Sequence, residues 1–240
     1  MPSNILGKYF TLHSFGESHG KCIGAVIDGC PAGLRLSEED IQPMLDLRRP
    51  GQSTITTQRK ETDAVNILSG VFKGYTTGAP ICMLIWNKDT DSSSYEEFRI
   101  KPRPGHADYT GLIKYGGFND YRGSGRFSGR LTATIVMGGA IALKILKSYL
   151  NIDIISYTKS IGNVELDTRN IPFEILMSRR YTNDVRCPDT NVSNKMKEEI
   201  LSARRDGDSL GGIIECIVKG VPVGLGEPIF VVLLFHIQSV

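Results

Sequence analysis

Two stretches of this chain, AVIDGCPAGL at residues 25–34 and CIVKGVPVGL at residues 216–225, repeat one pattern: an apolar strand running directly into G-x-P-x-G-L. Glycine and proline in that order end an extended segment with a turn. Two copies so far apart are either a coincidence of turn-prone residues or the trace of a two-fold repeated architecture. On the second reading, the later half has barely begun when the chain reaches residue 240.

The rest of the chain reads as a mixture of strands and helices. Residues 22–27 predict a buried strand. Ser37 followed by Glu38, Glu39 and Asp40 predicts a capped helix with Ile41, Met44, Leu45 and Arg48 on one face. Pro43 allows a kink in that helix, and Pro50 stops it before the loop PGQST. Residues 64–72 and 79–86 predict two strands joined through KGYTTG, and NKDTDSSSYEE predicts a polar surface loop. After Ser128, SGRLTATIVMGGAIALKILKSYL is apolar on nearly every face, which predicts a central helix buried by its neighbours. Residues 151–190 predict short strands and turns, 194–205 a charged outer helix, and 213–218 another strand.

Composition narrows the function. Hydrophobic residues make up 40% and charged residues 22%, as in an ordinary soluble globular protein. A net charge of +2 is too small to point to nucleic acid. Five cysteines, with no C-x-x-C and no Cys/His cluster at metal-ligand spacing, imply reduced thiols and no metal site. MPSNILGKYF lacks the apolar core of a secretory signal, and the longest apolar run, 229–235, is too short to span a bilayer. A cytoplasmic protein with no membrane partner is expected.

Two kinds of segment carry candidate chemistry. GGFNDYRGSGRFSGR, residues 116–130, combines glycines, two serines, three arginines and the start of the long helix. Such a segment either cradles an anion with backbone N–H and guanidinium groups or is a solvated turn. The others are the loops holding His19 in GESHG and His106 in RPGHAD, and imidazole is the usual proton carrier near neutral pH. G-E-S-H-G has the spacing of a nucleophile elbow around Ser18. An elbow must open a helix, though, and here a strand follows, so the hydrolase reading fails.

In order along the chain stand FGESHG, RRPGQS, TQRKE-x-D, ILSGVF-x-G-x-TTG-x-PI, RPGHADYT, D-x-R-GSGR-x-S-x-R-x-T and DS-x-GG-x7-GVP-x-GLGEP. Together they resemble chorismate synthase from about residue 9 to Phe230. The resemblance implies an α+β fold, a sandwich of helices between antiparallel sheets with internal pseudo-symmetry, assembled as a homotetramer. It implies an anti-1,4-elimination of phosphate from 5-enolpyruvylshikimate 3-phosphate with reduced FMN, and it allows NADPH as reductant. By motif, His19 corresponds to the acid for the departing phosphate and His106 to the histidine beside the flavin. Arg126, Phe127 and Ser128 fall at the flavin-contacting stretch. Ser18, Arg48, Arg49 and Arg130 fall at the substrate-binding positions, the two adjacent arginines also at a pyridine-nucleotide position.

The chain departs from the pattern in two places. Where the family shows S-A-R-E-T, this chain has F-S-G-R-L-T, a subfamily variant that keeps the serine, the second arginine and the threonine. After GLGEPIF the family continues with a helix and a long further stretch, whereas this chain reads VVLLFHIQSV. Residues 1–230 are therefore expected to form an incomplete domain with its C-terminal part missing, and 231–240 an aberrant apolar tail from truncation or frameshift. Two hypotheses follow: a flavin-dependent carbon–oxygen lyase, or an inactive fragment that keeps only phosphate or substrate binding, or subunit assembly. A general phosphate-ester-binding protein is a weaker third.

Overall fold

The computed structural model describes residues 4–49, 62–88, 92 and 95–225. Pro50, the loop it opens and the tail from 231 lie outside the described residues. Contacts divide the chain into two units, residues 1–142 and 143–240. In the first, β1 (Ile5–Leu6), β2 (Thr11–Gly16), β3 (Cys22–Asp28), β4 (Val65–Ile67) and β7 (Ile81–Trp86) form one antiparallel sheet in the order β1-β2-β3-β7-β4. Alternation along CIGAVID puts Ile23, Ala25 and Ile27 on one face, opposite Ile85, Met83 and Ile81. All six are at most 1% exposed, so this face is the core.

Helix α1 (Glu38–Arg48) starts where the sequence predicts, with Ser37 N–H donating to Asp40 Oδ2 at 2.9 Å. Pro43 is accommodated inside it. The helix also closes the β4 edge: Glu38 Oε1 accepts from Ile67 N–H and Gln42 Oε1 from Val65 N–H, each at 3.1 Å. Donors that would otherwise invite another strand are thereby occupied. The strand expected over 64–72 is broken. Gly70, at φ +81°, separates β4 from β5 (Val71–Phe72). That strand turns back onto β6 (Tyr75–Thr76) through Lys73 and Gly74, both at positive φ, which is the tight-hairpin geometry.

The long helix α3 (Thr132–Leu150) follows α2 (Asp108–Lys114) and a 3-10 turn at Gly129–Leu131. The sequence reading of burial on nearly all faces is corrected. Ala133, Thr134, Met137, Gly138, Ala140 and Ile141 are buried, whereas Ile135 is 40% exposed and the last turn is open. By length and apolarity alone the stretch Arg122–Leu150 could cross a membrane. The first half of α3 instead packs on the sheet: a Cβ on Gly138 would lie 2.4 Å from Leu12 Cδ1, so any larger residue there would push the Leu12 side chain aside.

In the second unit, β8 (Asp153–Ile161) pairs with β9 (Val164–Glu165) and with β10 (Gly212–Lys219). Residues 151–190 hold more order than expected, including α4 (Phe173–Arg179) after Pro172. The outer helix α5 (Thr190–Arg205) begins four residues before its predicted start, because Asp189 caps it by accepting from Val192 N–H. Mixed helices and antiparallel sheets make the fold α+β.

The G-x-P-x-G-L turns repeat in structure as well as in sequence. Gly29 and Gly220 have φ of +82° and +87°, and Gly33 and Gly224 have +84° and +97°. A Cβ on Gly29 would meet Tyr9 O at 1.8 Å, two residues before the strand partner of Asp28. One on Gly220 would meet Asn151 O at 2.9 Å, likewise two residues before the partner of Lys219. Both substitutions to alanine will destabilise by at least the roughly 1–2 kcal/mol that a left-handed backbone imposes on an L residue. Gly29→Ala will be the more damaging, because its clash is closer. Urea unfolding of the two variants checks the ranking.

Candidate active site

The candidate residues gather at the end of the first sheet where β2 turns into β3. Gly16, at φ +93°, makes that turn, and a Cβ there would lie 2.2 Å from Cys22 O. Ser18 N–H donates to Gly125 O at 3.1 Å, tying the turn to the glycine-rich loop that precedes α3. Ser18 and His19 are buried, at 0% and 7% exposure. His19 Nδ1 lies 3.1 Å from Ser92 Oγ, and the Tyr95 ring packs against the imidazole at 5.0 Å. The opposite edge of the imidazole faces Gly123. A Cβ on Gly123 would lie 2.5 Å from His19 Nε2 and 3.1 Å from Ser18 Oγ, so the bare Gly123 backbone packs directly against both residues. Ser18 Oγ has no hydrogen-bond partner among the described residues, which is uncommon for a buried hydroxyl.

Beside this pair lies an ionic cluster. Asp63, whose side chain is fully buried, accepts from Arg130 Nη1 at 2.7 Å and from Arg48 Nη1 at 3.0 Å. Arg48 also donates to Gly129 O and Thr132 Oγ1. Two guanidinium groups thus share one buried carboxylate, and guanidinium is the group whose planar fork matches carboxylate and phosphate oxygens. Arg130 Nε donates to Asn87 Oδ1 at 2.8 Å. Arg49, by contrast, is half exposed, with Nη1 4.0 Å from Asp46 Oδ1.

The remaining candidates are spread around the glycine-rich loop. Gly123, Ser124 and Gly125 all have positive φ, so residues 122–127 form a run of tight turns. Arg126 donates to Asn4 Oδ1 and Ser14 Oγ, each at 3.0 Å. Burial draws its pKa down, opposed by the charges of Glu17 and Tyr115. Phe127 packs against Gly111 of α2, and Ser128 Oγ accepts from Arg130 N–H. His106 is exposed in its turn, with Nδ1 3.1 Å from Pro104 O. Its neighbourhood reaches the site through Arg103, which donates to Asp108 and to Ser124 Oγ and stacks on Phe98. The Arg103 hydrogen bond holds the Asp108 carboxyl below the usual range, and Arg122 does the same for Asp120.

Sequence reasoning missed Asp63, Asn87, Ser92 and Tyr95. Asp63 closes TQRKE-x-D and stood in view without a role, whereas Arg103, which opens RPGHAD, belongs to the clustered arginines that suit a phosphate ester. The other three belong to the segment read as a surface loop, and nothing local marks them.

A family model for chorismate synthase matches residues 10–238, running on past Phe230. Curated relatives named chorismate synthase include those of Dehalococcoides mccartyi, 53% identical over 95% of this chain and 62% of the relative, and Korarchaeum cryptofilum, 54% identical over 96% and 63%. That of Methanopyrus kandleri is 52% identical over 95% and 60%. A crystal structure of chorismate synthase superposes with a TM-score of 0.74 at 33% identity, over 92% of this chain and 60% of that one. The chain thus spans about 60% of the length of the relatives it matches.

Proposed function

The chain belongs to the chorismate synthase family, and we propose that its first unit carries the proton-donor and phosphate side of a chorismate synthase site. The reaction is the anti-1,4-elimination of phosphate from 5-enolpyruvylshikimate 3-phosphate, which yields chorismate for aromatic amino acid biosynthesis. The observation that carries this reading is the buried Ser18–His19 pair packed on the glycine-rich loop beside the Arg48–Asp63–Arg130 cluster, with the Ser18 hydroxyl unpartnered among the described residues.

As the carbon–oxygen bond breaks, its electron pair stays with the phosphate oxygen, and that charge must be met by a proton or by cations. In this reading His19 gives its Nε2 proton to the leaving phosphate while Ser92 holds Nδ1. Ser18 Oγ supplies a further hydrogen bond. Arg48, Arg49 and Arg130 hold the substrate's phosphate and carboxylates. Reduced FMN, when bound, would supply electron density as the phosphate leaves and recover it as the ring C–H bond gives up its hydrogen as a proton, so the reaction has no net redox change. Arg126, Phe127 and Ser128 are the residues proposed to hold it, with His106 on the flavin side. A cavity of about 340 Å³ supports this assignment, with Tyr115, Phe118 and Phe127 offering aromatic surface beside Arg126. Asn119 Oδ1, buried in its wall without a partner among the described residues, suits a ring N–H. The same reading makes the protein cytoplasmic and homotetrameric, without nucleic-acid or membrane partners.

The deciding assay is chorismate formation from 5-enolpyruvylshikimate 3-phosphate by the purified chain with reduced FMN under anaerobic conditions, with a parallel arm in which NADPH is the reductant. Turnover is expected. Substrate binding without turnover would replace this reading with that of a binding or assembly module.

A further inference from the structure

The structure's two functional clusters are joined by Asn87, a residue at the head of a stretch whose sequence predicts only a polar loop. It follows β7 directly, and its backbone N–H donates to Lys21 O at 3.1 Å. Its side-chain Nδ2 donates to Glu17 O at 3.0 Å and to Gly20 O at 2.9 Å, the two carbonyls that bracket Ser18 and His19. Its Oδ1 accepts from Arg130 Nε at 2.8 Å. Both amide protons and the carbonyl oxygen are therefore used, and all of them lie on the line between the Asp63 cluster and the histidine turn.

We propose that Asn87 is the positioning residue of this site, holding the Ser18–His19 turn in register with Arg130. The proposal rests on the function argued above. Its logic is one of donor and acceptor count. A single short side chain must present two donors to one neighbour and an acceptor to the other, which asparagine does. Aspartate has the same shape but no donor, and a serine hydroxyl has only one. With those ties in place, a guanidinium that meets the substrate's anion and an imidazole that gives up a proton keep a fixed separation. Such fixed geometry is what converts proximity into rate. Asn87 itself touches neither reacting atom, because its polar groups are spent on the two backbone carbonyls and on Arg130.

The test uses Asn87→Asp and Asn87→Ala in the whole chain. The first keeps the acceptor for Arg130 and turns both donors into an acceptor facing two carbonyls. The second removes the ties without adding charge. Each variant is expected to shift the ¹⁵N resonances of the His19 ring at constant pH, with His19 assigned by its loss in His19→Asn. Each is also expected to lower kcat about 10–100-fold while KM stays within about threefold, the signature of lost orientation rather than lost binding. His19 resonances unmoved in both variants overturn the proposal whatever the turnover. An unmodified chain that makes no chorismate overturns the function, while the shifts of the His19 resonances still decide the positioning role. Should both variants fail to fold, the unmodified chain decides. The Asn87 side-chain amide protons must exchange at least about tenfold more slowly than those of the exposed Asn191, and equal rates overturn the proposal.

Discussion

Asp63→Ala will lower the folding stability of this chain by about 3–5 kcal/mol, the usual result of removing one partner from a buried ion pair. The Asp63 side chain is fully buried, and the Arg130 side chain beside it is 4% exposed. Removing the carboxylate takes from the buried Arg130 guanidinium its acceptor at 2.7 Å and leaves in its place no water-accessible surface. Arg48, 19% exposed, loses the same partner but can turn toward solvent. Total stabilities of about 5–15 kcal/mol make a loss of this size a large share of the whole. Asp63 also holds φ +46°, a backbone state that aspartate and asparagine tolerate better than alanine. Asp63→Asn keeps that tolerance and one acceptor, so it will lose less. Urea titrations give the ranking: a fall of the midpoint at unchanged slope for both variants, larger for alanine. A loss below about 1 kcal/mol for Asp63→Ala would show that the arginines find other partners.

Gly123→Ala is expected to abolish turnover to about the extent of removing the imidazole, some 10²–10⁴-fold, the range that general acid catalysis contributes. The new methyl would lie 2.1 Å from His19 Cδ2 and 2.5 Å from Nε2, well inside contact distance. Gly123 cannot yield, because its φ of +54° belongs to a run of three left-handed or glycine-only residues. His19 cannot yield either, since Ser92 and Tyr95 fix its other side. The methyl would also lie 3.1 Å from Ser18 Oγ, so it crowds the hydroxyl together with the imidazole. Circular dichroism separates this local block from unfolding, and anaerobic turnover measures it. Activity within about tenfold of the unmodified chain would mean that the placement of the His19 ring on Gly123 does not govern the rate.

Local features of the fold were legible because local sterics set them. Residues 22–27 are a short unbroken apolar run, Ser37 and three acids open a helix, and two glycines flank a proline at each repeated turn; in every case the signal lies in adjoining residues. Prediction failed where that condition failed. The segment over 64–72 has strand-forming residues throughout, yet Gly70 interrupts it so that β5 can pair with β6. The helix after Ser128 is apolar all round, but the sheet covers only the side at Gly138. NKDTDSSSYEE is as polar as any exposed loop, and still Asn87, Ser92 and Tyr95 point into the site.

The candidate site divides in the same way. The motifs supplied the residue types and the family: His19 and Ser18 in one turn, arginines at 48, 49, 126 and 130, glycines where the backbone must reverse. They carried no information about partners. That Asp63 pairs with both Arg48 and Arg130, and that Asn87 ties Arg130 to the histidine turn, was decided only in three dimensions. Arg130 meets Asn87 across 43 residues of chain and Asp63 across 67. A turn conformation is chosen by atoms one or two bonds away and can be read from its own residues. A hydrogen bond depends on distances of about 3 Å between groups that only the packed sheet and helices bring together.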